Sequence, residues 1–472
     1  MYSIGKTGTG KSTMLSNMII DDIKEGRGVA VVDPHGDLVR HILNFIPENR
    51  IEDVVYFNPT DREHPLGFNI LEAVEPDLKN IVASGVVGIF KKIFGDVSWG
   101  PRLEYILRNV ILALLDYPNA TLLEVMRVLT DKDFRKEVVS KLTDPVIRDF
   151  FINEYEKYDP KFRTEAIAPI QNKVGQFLSS STIRNIVGQK ASTFDIEHLM
   201  NNHKILLLNL SIGEIGEDSS ALLGAMLITK IQLTAMRRAA QPEEERADFY
   251  LYVDELQNFA TESFAVILSE ARKYHLNLIL TNQYIAQMPE VVASAVFGNV
   301  GTVVAFRVGA TDAGFLVKEF EPVFDAIDLV NLDNYHIYIK MSIDGVTSPA
   351  FSAKTLAPRR DSYGLIEQII NASRQKYGKG REEIEIEIEQ RTSSFAESAV
   401  GSVNAAPSAS IRENSARKNG EPVRVGEIVP QILGIGGREY EKRRSEKGGE
   451  WYIPKENGTV IKPGERVRIE SR

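Results

Sequence analysis

The 472 residues, 43% of them hydrophobic and 26% charged, supply apolar material for roughly two to three cored domains. A formal net charge of -9 excludes a general basic coat for nucleic acid, so any DNA contact has to come from a local basic patch or a ring pore. The lack of cysteine excludes disulfides and thiolate metal sites, and the seven His show no convincing ligand spacing.

In chain order, Met1 to Ile4 reads as a short strand running into "GKTGTGKS", and Thr13 to Lys24 has helical periodicity. "GVAVVDPHGDL" is a buried strand ending in a polar turn, and "VVYFNP" is another short strand, a rhythm that predicts a parallel α/β sheet. The pattern changes at "SWGPRLEYILRNVILALL", where Gly100 and Pro101 open a helix and helical signals continue to about Ile186. Strands return as "KILLLNLS", "FYLYVDE", "LNLILTNQ", "GTVVAFRV" and "HIYIKMSI". The expected division is 1–98 and 191–358 as the two parts of a nucleotide-binding domain, with 99–190 as an all-helical insert. Residues 359–420 are expected to form a disordered linker and 421–472 a small β-rich segment. Within the linker "EEIEIEIEQ" alternates like a strand, and Asn457-Gly458 near the end signals a hairpin.

No run satisfies the length and apolarity of a membrane span: Val110 to Leu115 is too short, and Ala221 to Met236 carries Lys230 and Gln232, so both read as buried helices. No signal peptide is legible either. The expected location is cytoplasmic, or peripheral at the inner face of the cell membrane through a partner.

The opening stretch fits G-x-x-x-x-G-K-[ST] at every fixed position: Gly5, Gly10, Lys11 and Ser12. Residues Gly5, Lys6, Thr7, Gly8, Thr9, Gly10, Lys11, Ser12 and Thr13 would wrap the phosphates of ATP with backbone N–H groups at the start of a helix. Lys11 would reach the β- and γ-phosphates and the Ser12 hydroxyl would bind Mg²⁺. In "FYLYVDELQNF" an apolar strand carries Asp254 to its C-terminal end to complete the Mg²⁺ shell, and Glu255 is placed to polarise the attacking water. Gln283, at the tip of the next strand, is a candidate γ-phosphate sensor. Two arginines are candidates for a finger acting in trans: Arg307, just after a strand, and Arg272, just before one. In "DPHGDL" the side chains of Asp33, His35 and Asp37 belong to the same edge; a base role for His35 is set aside because Glu255 fills it.

These stretches, with "VVDPHGDL", "ILLLNLSIGEIGED", "EARKYHLNLILTNQ" and "NVGTVVAFRVGATDA", occur in an order that resembles the TraG/TraD-type coupling ATPases of type IV secretion and conjugation, in the HerA/FtsK superfamily. The resemblance covers about residues 1–356. It implies a RecA-like P-loop NTPase with an all-helical domain inserted between the nucleotide motifs, which together with the βαβ rhythm gives a mostly parallel central sheet; the tail from about 359 matches nothing in the family, and its composition predicts that it is largely disordered. The resemblance further implies a homo-hexameric ring that moves DNA, single- or double-stranded, through its pore, with each site at a subunit interface. A relaxase and a membrane-anchored secretion-system partner would be its associates. Lys11, Ser12, Asp254, Glu255 and Gln283 fall on the family's motif positions. The N-terminal anchor of coupling proteins and the β-barrel of HerA-type proteins do not precede the loop in this sequence; the expectation is a truncated product, a start assigned too late, or an anchor on another chain. A HerA-type DNA-processing pump, a protein-secretion ATPase and a nucleotide-dependent docking protein are the alternatives. Lys91, Lys92, Arg237 and Arg238 are the basic candidates for a pore.

Overall fold

The computed structural model describes residues 1–72, 74–95, 99–262, 264–343 and 345–401, with side chains as far as 391, and the strands 432–435, 438–444 and 450–454. Two compact units divide at 402/403.

The first unit is built on one ten-stranded sheet. Its strands are β1 (Tyr2–Ile4), β2 (Gly28–Asp33), β3 (Val54–Phe57), β4 (Ile205–Asn209), β5 (Phe249–Val253), β6 (Leu276–Asn282), β7 (Thr302–Ala305), β8 (His336–Ile343), β9 (Val346–Thr347) and β10 (Phe351–Lys354). The order is β10-β8-β7-β1-β6-β5-β2-β4-β3, with β9 paired to β8. From β7 to β3 every pairing is parallel, and β8, β9 and β10 add an antiparallel margin. This is a mostly parallel α/β sheet of the RecA-like P-loop kind.

The strands β1, β2, β3 and β4 are buried along their whole length. That is why they read as continuous apolar runs: a parallel sheet is covered on both faces. Alternation still sorts their side chains. Val29 and Val31 of β2 join one core with Leu15, Ile19 and Ile23 of α1 (Lys11–Lys24) and Leu38, Val39 and Ile42 of α2 (Asp37–Leu43). Ala30 and Val32 face the opposite core, with Val82, Val86 and Phe90 of α3 (Lys79–Phe94) and Leu223, Met226 and Leu227 of the helix Glu217–Arg237.

Between β3 and β4 the chain runs through α3, then α4 (Pro101–Asp116) with Pro101 in its first turn, and the helices Leu123–Thr130, Lys132–Lys141, Pro160–Ser179, Ser181–Val187 and Ile196–Asn201. By length and composition one stretch among the described residues, Glu217–Ala240, could cross a membrane, with mean hydropathy 1.3. Of its most apolar 18-residue window 78% is buried inside the protein, as in a core helix.

Beyond β10 the chain departs from its sequence pattern. The expected linker from 359 instead carries helices over Ile366–Tyr377 and Arg381–Gly401. "EEIEIEIEQ" is helical because Ile384 and Ile388, four residues apart, lie on one buried face, while Ile386 is 53% exposed. Glu385 accepts from Asn185 at 3.0 Å and Glu387 pairs with Lys190 at 3.3 Å. The remainder of the expected linker, 402–420, lies outside the described residues. In the second unit, Ile432–Ile435, Arg438–Arg444 and Glu450–Pro454 form a three-stranded antiparallel sheet. The expected hairpin at Asn457-Gly458 lies outside the described residues.

Candidate nucleotide site

The C-terminal ends of β1, β2, β5 and β6 meet at one edge of the sheet, where open α/β sheets bind their ligands. The loop after β1 is pinned from three sides. Gly5 N–H donates to the Asn282 carbonyl at 3.3 Å, Lys6 N–H to the Arg307 carbonyl at 2.9 Å, and the Thr9 carbonyl accepts from Tyr335 N–H at 2.9 Å. A Cβ on Gly5 would sit 2.4 Å from that of Phe306, so the loop can approach β7 this closely only without a side chain. Gly10 has φ of 115° and no side chain caps α1. The first N–H groups of α1, which have no partner inside a helix, therefore face the hollow of the loop.

Lys11 is buried, and its ammonium turns back onto the carbonyls of Gly5 and Lys6, the latter at 3.2 Å. Burial lowers its pKa, against the pull of Asp254 and Glu255. Asp254, 7% exposed, has its pKa raised, mainly by burial, with the charges of Asp33 and Glu255 adding and the Thr281 hydroxyl and Lys11 opposing. Thr281 donates to Asp254 and accepts the Glu255 N–H at 3.2 Å. A buried carboxylate held against its own desolvation favours a bound cation, and Ser12 opens into the same cleft of about 380 Å³ beside Thr13, Asp33, His35 and Pro358. Hard oxygen donors of this kind fit Mg²⁺, and the Gly-rich hollow with its uncapped helix fits phosphates.

Glu255 sits at φ of 48°, a left-handed conformation that costs a non-glycine residue about 1–2 kcal/mol. Its backbone is over-determined: besides the N–H contact above, its carbonyl accepts from Asn258 N–H at 2.9 Å. Three donors converge on its carboxylate. Gln283 Nε2 donates to Oε1, while His35 Nε2 at 2.9 Å and Asn258 Nδ2 at 3.3 Å reach Oε2. The other end of the Gln283 amide accepts from the Thr7 hydroxyl at 3.1 Å. The sequence-predicted Lys11, Ser12, Asp254, Glu255 and Gln283 are thus brought together.

The arginines are separated. Arg307 lies beside its own phosphate loop and donates to Asn334 Oδ1 at 2.7 Å. Arg272 is exposed in the turn before β6, at the end of that strand remote from the site. Asp33 caps α2, accepting from His35 N–H at 2.8 Å and Val39 N–H at 3.0 Å, and Asp37 is an exposed partner of Arg40.

The basic pore candidates are already engaged. Lys91 pairs with Glu262 at 3.0 Å, Arg237 with Glu75 and Glu197, and Lys92 donates to the carbonyls of Gln257 and Ala260 at 2.8 Å each. Arg238 is 1% exposed and donates to the carbonyls of Ala247 and Tyr274.

Thr281 and Tyr335 had no signal in the sequence: each acts through a contact between distant segments. A strap at 356–359 is a third such feature. Asn17 of α1 donates to the Ala357 carbonyl at 3.0 Å and accepts from Arg359 N–H, and the Arg359 guanidinium grips Asp21 at 2.6 and 2.8 Å.

Among solved structures, the chain is similar to the plasmid coupling protein TrwB in complex with the GTP analogue GDPNP, at 18% identity and TM-score 0.55, over 76% of this chain and 87% of that one. TrwB in complex with ADP and Mg²⁺ matches at 18% identity and TM-score 0.55, over 76% and 86%. VirB4 of Thermoanaerobacter pseudethanolicus matches at 14% identity and TM-score 0.51, over 75% and 88%. At these identities the likeness is one of fold. A search of curated protein sequences finds no match. The model of the type IV secretion-system coupling protein DNA-binding domain matches residues 1–315, and the chain therefore belongs to that family.

Proposed function

We propose that this protein is an ATP-hydrolysing motor that translocates DNA as the coupling protein of a type IV secretion or conjugation system, working as a homo-hexameric ring. The observation that carries the reading is the gathering of Lys11, Asp254, Glu255 and Gln283 at one end of the sheet, where Asp254 and Ser12 line one cleft. TrwB has been seen with ADP and Mg²⁺ and with ATP and GTP analogues, which supports a nucleotide and Mg²⁺ here. In this chain the loop N–H groups and Lys11 bind and orient the phosphates, while Ser12 and Asp254 hold the metal. Bound Mg²⁺ supplies charge neutralisation at the phosphates. Glu255 takes a proton from the attacking water, and Gln283 reports the γ-phosphate to it. A guanidinium from a neighbouring subunit completes the charge balance; exposed Arg272, remote from its own site, suits action in trans, whereas the Arg307 guanidinium is engaged by Asn334 of its own chain.

The proposed location is cytoplasmic, or peripheral at the membrane through an anchored partner, with a relaxase delivering the DNA. The alternative readings are an ATPase serving secretion of protein and a HerA-type DNA-processing pump. Steady-state ATP hydrolysis with single- and double-stranded DNA across salt, with Glu255→Gln as control, separates them. Stimulation by DNA that falls with salt and disappears in the variant supports the DNA motor. Hydrolysis indifferent to DNA supports the protein-secretion reading, and failure to bind nucleotide overturns the proposal.

A further inference from the structure

We infer that His35 is a positioning residue that holds Glu255 away from the attacking water, and that the chain Thr7–Gln283–Glu255–His35 sets whether Glu255 is free to act. This rests on the proposed role of Glu255 in hydrolysis. A general base has to offer a carboxylate lone pair to the water it activates, and every donor already seated on that carboxylate competes with the water. Here both oxygens are engaged: Oε1 by Gln283, Oε2 by His35 and Asn258.

The two sides of this grip differ in kind. Gln283 is tied to the phosphate loop through Thr7, so its hold on Oε1 changes when phosphate reaches the loop. His35 comes from the other wall of the cleft, between β2 and α2, and nothing in the loop bonds to it. Its backbone is fixed instead. Its N–H donates to Asp33 at 2.8 Å, and its carbonyl accepts from Arg40 at 3.3 Å, a guanidinium also paired with Glu214 at 2.9 Å. The backbone that carries the imidazole is therefore anchored on its own wall of the cleft, and what the contact constrains is the Glu255 carboxylate rather than its backbone, which is already held. His35 donates from Nε2, since the carboxylate can only accept. Its side chain is 53% exposed while that of Glu255 is 13% exposed, so a group entering from outside reaches the imidazole before the carboxylate.

The grip can be read separately from nucleotide binding. His35→Ala removes the donor and leaves the phosphate loop, Ser12 and Asp254 untouched; His35→Gln keeps an N–H donor of similar reach. Affinity for a fluorescent ATP analogue, kcat and KM are measured on the full chain for the wild type and both variants, without DNA. The expected result is a kcat about tenfold higher in His35→Ala, the factor for releasing one hydrogen bond to a charged group, with KM and analogue affinity unchanged and His35→Gln close to the wild type. A wild type without measurable turnover beside an active His35→Ala is the same result in stronger form. Equal kcat in the wild type and His35→Ala, a lower kcat in His35→Ala, or nucleotide bound but no turnover in any of the three, overturns the inference. No nucleotide binding by any of them overturns the underlying reading of the site as well, so the two failures are distinct.

Discussion

Thr281 is fully buried, and its hydroxyl stands between the two acids of the site, donating to Asp254 and accepting from Glu255 N–H. Thr281→Val keeps the shape and deletes both contacts. It should lower stability by about 1–3 kcal/mol and raise the Mg²⁺ concentration needed for nucleotide binding; a denaturant midpoint and an Mg²⁺ titration check both. Lys92 gives a pH test. Burial lowers its pKa to about 7, whereas in the unfolded chain it has the ordinary lysine value near ~10.4. Between those values the unfolded state binds more protons, so stability rises with pH, by at most about 1.4 kcal/mol per pH unit, and the gain is lost as pH falls through the folded value. Lys92→Met should flatten the slope of unfolding free energy between about pH 7 and pH 9.5, measured by urea melts. Arg238→Ala should cost about 2–4 kcal/mol in the same assay and leave the salt dependence of any DNA binding unchanged, because this guanidinium serves buried carbonyls. Residue types alone made Lys11, Ser12, Asp254 and Glu255 legible, since motif and strand end coincide. The engagement of Lys92 and Arg238 was not legible: a basic residue on a helix looks the same in sequence whether it faces water or a distant loop's carbonyls.

At the scale of elements, the strands were read from apolar runs between turn residues, and the boundaries of β2, β4 and β5 follow those runs closely. The acidic segment after 380 shows where that logic gives out. Isoleucine at every second position satisfies a period of two, yet its first and third members are also four apart and fit a helix equally. What decides is the surface beneath: Asn185 and Lys190 meet Glu385 and Glu387, and Ile384 and Ile388 fill the gap between them. Ile384→Ser with Ile388→Ser should release this helix without unfolding the sheet. Limited proteolysis would then cut between about 379 and 401 well before the rest of the chain; an unaltered cleavage pattern would mean that the polar contacts alone suffice.

At the scale of the whole molecule, the sequence made a parallel sheet legible but not its order, because adjacency of strands is a property of crossovers and not of runs. Placing β1 between β6 and β7 needs the pairings Tyr2↔Leu280 and Tyr2↔Val303, which no local signal announces. At this scale Glu255→Gln should cut turnover by about 10²–10⁴-fold while analogue binding persists, since it removes the proton acceptor and leaves the phosphate loop intact. Equal losses of binding and turnover would make Glu255 a structural residue.

The position of β1 also constrains when the site can exist. Its two neighbours lie far along the chain from it, so β1 can take its place only once both exist, and the entropy of closing so long a loop falls on the strand that carries the phosphate loop. During synthesis the loop stays unformed until β6 and β7 have emerged. A growing chain of this protein is therefore expected to hold no nucleotide until β6, which carries Gln283 at its end, and β7 are both in place on either side of β1.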